Sequence, residues 1–289
     1  MCEESDFPEG AGNTGNWRWT RREFGAAGGA VALAACSSGV AGEDEGLLSA
    51  GIAEDSVTIE TPDGLLDAFF VHPATGSSPA VIFWPDIASI RDSKRMMARR
   101  LAGEGYAVLV VNPYYRDVAG EQFESSVAFR AEGGFQTVEP WRDKLSSDAI
   151  MRDADAIVSW LDEQDAVDTV RGIGTQGYCM GGPFAVYSAH ARPDRIRAAA
   201  SFHGGGLVRE DPHSPHRLIA DTPETSYIFA IAKNDHARTP DDKDKLAAAV
   251  DEYKRDAQIE VYAGDHGWTV PETILHTSRL RQSGPGASC

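Results

Sequence analysis

The sequence predicts an α/β protein built on a doubly wound, mostly parallel β-sheet with helices on both faces. From Ser56 onward short apolar runs alternate with longer amphipathic segments, the order that packs helices against parallel strands. Two of the runs, Ala80 to Trp84 and Ala107 to Val111, are apolar throughout, as strands covered on both faces are. A chain of 289 residues, 42% hydrophobic and with six tryptophans, is ample for one large core.

Taken in order, Val57 to Glu60 and Leu65 to Val71 predict a hairpin across Asp63-Gly64, a strong turn dipeptide. Ala80 to Trp84 is a buried strand, Ser93 to Glu104 a helix stopped by Gly105, and Ala107 to Val111 a second buried strand. Lys144 to Gln164 is a long amphipathic helix with Leu145, Ala149, Ala156, Val158 and Leu161 among its apolar positions. Strand Gly172 to Gln176, helix Gly181 to Ala191, and strands Ala198 to Phe202 and Tyr227 to Ala232 follow. Helix Asp242 to Lys254 and strand Gln258 to Tyr262 complete the pattern, leaving the N-terminal hairpin as the antiparallel edge.

In sheets of this kind ligands bind beyond the carboxyl ends of the strands. Asp86, Arg116, Cys179, Asp235 and His266 each follow a predicted strand and so fall on that rim. Cys179 stands in Gly177-Tyr178-Cys179-Met180-Gly181-Gly182, between an apolar run and an apolar helix. Small flanking residues around a nucleophile permit the sharp strand-to-helix turn that lifts it above the sheet edge. An acid in Lys233-Asn234-Asp235-His236 and a histidine in Gly264-Asp265-His266-Gly267-Trp268 come later, the chain order nucleophile, acid, histidine.

These motifs resemble the dienelactone hydrolase family, α/β-hydrolases with a cysteine nucleophile in a GYC-x-GG turn, over roughly residues 55 to 270. The resemblance implies Cys179 as nucleophile, Asp235 as triad acid and His266 as base. Pro85-Asp86-Ile87 stands where the family carries an acidic residue, and Pro113-Tyr114-Tyr115-Arg116 where it carries an arginine for a substrate carboxylate. Asp86, Tyr115, Arg116 and His203 are therefore candidate substrate contacts; a surface ion pair is the alternative for Asp86 and Arg116. Three departures stand out. Asp86 replaces a glutamate, Gly267 follows the histidine where the family tends to carry a serine, and Thr269 to Cys289 is mostly polar where a final amphipathic helix is expected, which suggests an altered or truncated C-terminus.

A free thiol titrates near about 8.5, so Cys179 needs help to act as a thiolate. The N-terminus of the following helix, with Pro183 early in it, and the imidazole of His266 both supply it. Backbone amides of Met180 and Ile87 are placed to receive an oxyanion. A thiolate leaves a tetrahedral intermediate more readily than a simple alkoxide. The expected substrates are thus activated esters or lactones whose leaving oxygen is a stabilised enolate or phenolate. No cofactor is called for. His203, His213 and His216 match no closed zinc pattern and, with Gly204-Gly205-Gly206, Pro212 and Pro215, suggest a mobile loop beside the site. A non-catalytic envelope homologue acting as a binding protein is the principal alternative. A thiol redox protein is a weaker one, for no C-x-x-C is present.

The formal charge of −17, with no clustered Lys and Arg, argues against nucleic acid as a partner. No run reaches the roughly 18 apolar residues that span a bilayer. Thr20-Arg21-Arg22-Glu23-Phe24 resembles a twin-arginine signal, and Leu33-Ala34-Ala35-Cys36 a lipobox. Residues 1–36 are expected to direct export, with lipidation at Cys36 as the only membrane attachment. An untargeted Gly/Ala-rich tail is the alternative, and Glu3, Glu4, Asp6 and Glu9 are atypical of a signal. Residues 37–55 would form a linker and 56–289 a single domain, monomeric or homodimeric, acting on a small ester or lactone.

Overall fold

The structure is a computed structural model that describes residues 51–271. The expected signal, Cys36 and the C-terminal departure after Pro271 lie outside the described residues. An eight-stranded sheet runs in the order β1-β2-β4-β3-β5-β6-β7-β8. Its strands are β1 (Ile52–Thr61), β2 (Gly64–Pro73), β3 (Ala80–Trp84), β4 (Ala107–Val111), β5 (Ile173–Tyr178), β6 (Ile196–Phe202), β7 (Ser226–Ala232) and β8 (Ala257–Tyr262). β1 pairs antiparallel with β2, and β2 with β4; every other pairing is parallel. The hairpin turns where Asp63-Gly64 predicts it, with Thr61 opposite Gly64 and Gly64 at φ 136. β1 starts at Ile52, inside the expected linker, because its first residues complete the ladder to Pro73.

The helices are α1 (Asp92–Gly103), α2 (Ser126–Ala131), α3 (Gly134–Arg142), α4 (Ser147–Asp162), α5 (Gly182–Ala191), α6 (Pro215–Leu218), α7 (Lys233–Arg238) and α8 (Pro240–Tyr253). Alternation along the strands divides the apolar side chains between the two faces of the sheet. Phe69, Val71, Val81, Phe83, Val108 and Val110 pack with Ala98 and Ala102 of α1. Leu66, Ala68, Phe70, Ile82, Trp84, Leu109 and Val111 pack with Ile157 and Leu161 of α4, Phe184 and Val186 of α5, and Leu246 of α8. Each fully buried Val, Leu, Ile or Phe among them contributes about 1.5–3 kcal/mol of transfer free energy. All residues of β3 and β4 are buried, as their unbroken apolar runs require.

The sequence pattern did not reveal α2 and α3. Both are short, and α3 carries Pro140 inside it and follows a left-handed Gly133, so neither has a clean helical stripe. Ser125 caps α2 by accepting from the Ala128 amide at 3.0 Å, and Phe129 packs edge-on against Phe123 and Phe135. α2 carries Ser126 and Phe129 to the carboxyl ends of the strands.

Candidate active site

Cys179 follows β5 with φ at 54, a left-handed conformation that costs a residue with a Cβ of order 1–3 kcal/mol and persists only where the surroundings impose it. The surroundings here are glycines. A Cβ on Gly177 would lie 1.8 Å from the Gly181 carbonyl oxygen, and one on Gly181 2.6 Å from the carbonyl oxygens of Trp84 and Pro85. One on Gly182 would meet the Gly204 Cα at 2.5 Å. A single 3-10 turn, Cys179–Gly181, leads directly into α5, whose first turn holds Pro183. Cys179 is 1% exposed, at the bottom of the strand-end pocket.

His266 stands in the turn after β8. Its backbone amide donates to Asn234 Oδ1 at 2.8 Å, and its ring Nδ1 donates to Asp235 Oδ2 at 2.7 Å. Asp235 follows β7 as expected and lies in the first turn of α7, where an acidic side chain suits the helix dipole. The ring also interacts electrostatically with Cys179. Burial by itself would lower the pKa of His266. The Cys179 thiolate and the bond to Asp235 outweigh it and raise the value to about 10. Cys179, His266 and Asp235 are thus brought together from the ends of β5, β8 and β7.

The pocket above Cys179 is narrow, about 20 Å³, and Ile87, Ala88, Phe129 and Val270 make much of its wall apolar. Ser126, His203, His266 and Gly267 line it too. His203 is a buried residue in a left-handed conformation at the end of β6, with φ at 42 and Nε2 2.9 Å from Thr269 Oγ1. Its ring meets that of His266 edge-on at 4.7 Å between centroids. Burial, then the neighbouring charges of His266 and Lys94, hold its pKa well below the usual imidazole range. His203 therefore belongs to the pocket, whereas His213 and His216 bond Ser147 and Ser214 and are not among its lining residues. Ile87 and Met180, expected as oxyanion donors, are linked by Tyr114, whose hydroxyl donates to the Ile87 carbonyl at 2.9 Å and lies 3.4 Å from Met180 Sδ.

Two expected substrate contacts are engaged elsewhere. Arg116 Nη2 lies 2.7 Å from both Asp153 Oδ1 and Asp63 Oδ2, and its guanidinium stacks over the Tyr115 ring at 4.6 Å. The Tyr115 hydroxyl donates to Asp153 at 2.6 Å. Neither residue lines the pocket. The expectation that Arg116 receives a substrate carboxylate is corrected on this ground: two aspartates already occupy its fork, and with Tyr115 it ties the β1–β2 turn to α4. Asp86 does line the pocket, but Arg91 grips both its oxygens at 2.8 Å, Lys94 Nζ lies 2.6 Å from Oδ2, and the Ala88 amide donates to Oδ1 at 3.0 Å. Asp86 and Arg116 are not each other's partners. Burial raises the Asp86 pKa, yet the two cations outweigh burial and hold it far below the usual carboxylate range.

Ser126, Phe129 and Val270 are pocket residues that sequence reasoning missed. The signal for the first two was the Ser125 cap ahead of the short apolar helix; Val270 had none.

A mostly parallel sheet of this order, with a glycine-lined turn after β5 and a histidine after β8, has the arrangement of an α/β-hydrolase. Within that class the chain belongs to the dienelactone hydrolase family, whose family model matches residues 66–282. It is 32% identical over 154 residues to a Bradyrhizobium protein described as a 2-oxo-3-(5-oxofuran-2-ylidene)propanoate lactonase, covering 53% of this chain and 57% of that one. It is 25% identical to a carboxymethylenebutenolidase of Rhodococcus opacus, covering 56% and 59%. The chain thus spans under two thirds of the length of these relatives. Among solved structures, a Klebsiella pneumoniae protein described as a dienelactone hydrolase superposes with a TM-score of 0.62 at 20% identity, covering 80% of this chain and 96% of that one.

Proposed function

We propose that the protein hydrolyses activated carboxylic esters or lactones through a Cys179, His266, Asp235 triad and an acyl-thioester intermediate. The observation that carries this is the hydrogen bond of Asp235 to His266 beside Cys179, with Cys179 and His266 lining one pocket. The Cys179 thiolate attacks the carbonyl carbon, and the electron pair displaced onto oxygen is received by the amides of Met180 and Ile87. Collapse breaks the bond to the leaving oxygen, which takes the proton from His266 Nε2. Water, deprotonated by the now neutral imidazole, then attacks the thioester and frees the acid and Cys179. Asp235 holds the ring so that Nε2 faces the sulfur. Membership of the family and the lactonase and butenolidase relatives support the substrate class.

Hydrolysis of p-nitrophenyl acetate by the protein and by Cys179→Ala and His266→Ala tests this. Loss of turnover in both variants, with a mass increase of one acetyl group on Cys179 after a rapid quench, is the expected result. Turnover that persists in Cys179→Ala would refute the triad.

A further inference from the structure

Resting on the hydrolase reading, we propose that the pocket is built for an uncharged lactone or ester, with Ser126 and His203 as its specificity-determining polar contacts. Among the described residues that line the pocket none is arginine or lysine. Nearby cations are already answered. Arg116 serves Asp63 and Asp153, while Arg91 and Lys94, whose side chains are 0% exposed, converge on Asp86. Among the described residues the charges beside the pocket are already matched, Asp86 by Arg91 and Lys94 and Asp235 by His266. A substrate carboxylate placed beside them would be desolvated without a counter-charge of its own, which is strongly unfavourable.

What the pocket does offer is neutral hydrogen bonding. Among the described residues the buried Ser126 hydroxyl has no hydrogen-bond partner, and His203 Nδ1 has none outside its own residue. Both residues line the pocket and both are more than nine-tenths buried. Buried polar atoms left in this state are uncommon. With Nε2 occupied by Thr269 and the ring held neutral, His203 presents a group that donates or accepts without charge. A lactone carbonyl or ring oxygen satisfies Ser126; a carboxylate gains from neither residue what an arginine would give it.

The test compares an uncharged 4-methylene-butenolide with its 4-carboxymethylene counterpart, each kcat/KM divided by the rate of hydroxide-catalysed opening. At least a 10-fold preference for the uncharged lactone is expected. An equal or greater rate on the carboxylate would overturn the proposal while leaving the hydrolase reading intact. No opening of either lactone, together with no acylation of Cys179 by p-nitrophenyl acetate, would overturn both. Ser126→Arg, which supplies the missing cation, is expected to shift the ratio at least 10-fold toward the carboxylate. Ser126→Ala is expected to raise KM for the uncharged lactone several-fold with a much smaller change in kcat. A folded Ser126→Arg protein with an unshifted ratio would remove Ser126 from the proposal.

Discussion

Asp235 Oδ2 accepts the Nδ1 proton of His266 across 2.7 Å, and that one bond decides which imidazole nitrogen faces Cys179. A carboxylate can only accept, so Nδ1 must carry the proton and Nε2 is left to exchange one with sulfur. Arg238, three residues on, approaches the other carboxylate oxygen at 3.8 Å and does not compete for Oδ2.

Asp235→Asn offers His266 either an acceptor or a donor, and so loses control of the tautomer. Activity on p-nitrophenyl acetate is expected to fall by about 10²–10⁴-fold. Steady-state kinetics beside a thermal melt checks this: a large loss of kcat with little change of melting temperature is the signature, and an unchanged kcat would contradict it.

The pH dependence follows from the same pair. The His266 pKa is raised from 6.5 to about 10, so the ring stays an imidazolium through neutral and mildly alkaline pH. Above about 10 it loses the proton that the leaving oxygen needs. The acylation burst should therefore decline on the alkaline side near pH 10, as a property of the coupled cysteine–histidine pair. The stability that the charged ring contributes has the same sign. It is fully present below the ordinary value of 6.5 and is lost as pH rises through about 10. A burst that declines near neutrality would contradict the raised value.

Two glycine substitutions separate shape from flexibility. Gly177→Ala drives a methyl into the Gly181 carbonyl, 1.8 Å away, and must distort the nucleophile turn. Overpacking of this kind costs about 1–3 kcal/mol or more, and activity should be lost with it. Gly103→Ala, in the last turn of α1, meets nothing within 4 Å and should stabilise by about 0.4–1 kcal/mol. Chemical denaturation of both variants checks the contrast.

The turn at Cys179 and the strand order were legible because their signals are local: unbroken apolar runs for β3 and β4, and glycines around Cys179. That Asp235 and His266 would meet beside Cys179 was legible in their order along the chain. Arg116 was misread because its partners come from afar. Asp63 lies in the hairpin turn and Asp153 on α4, 53 and 37 residues away in sequence, and nothing near Arg116 announces them. Asp86 was half legible. Its shortened side chain was evident, but Arg91 and Lys94 are an extended cap residue and a first-turn residue of α1, and only the folded turn brings both onto one carboxylate.

Asp86→Ala would leave Arg91 and Lys94, both fully buried, without the carboxylate they share. A cost of about 3–5 kcal/mol is expected, read as a large drop in melting temperature. Because the Asp86 pKa is held far below the usual range, its contribution is present above the ordinary carboxylate value and is lost only at strongly acidic pH. Asp86→Glu keeps the charge but adds a methylene to a filled space, and should cost less than Asp86→Ala. The reverse order would show that size, not charge, is what the site requires.

Tyr114 carries the last prediction. Its hydroxyl donates to the Ile87 carbonyl at 2.9 Å and touches Met180 Sδ at 3.4 Å, while its ring packs against Trp141 of α3 at 5.5 Å. It touches neither the reacting atoms nor, among the described lining residues, the pocket wall, so it is a positioning residue for the two amides assigned to the oxyanion. Tyr114→Phe keeps the ring and removes the hydroxyl's bond to Ile87 together with its contact to Met180 Sδ. The stability loss should be modest, about 0.5–1.5 kcal/mol for one buried hydrogen bond. Loosening one oxyanion donor should act on the transition state more than on bound substrate, so kcat should fall about 10-fold or more while KM stays nearly level. A rise in KM with unchanged kcat would instead assign Tyr114 to ground-state binding, and the oxyanion role of the Ile87 amide would need another support.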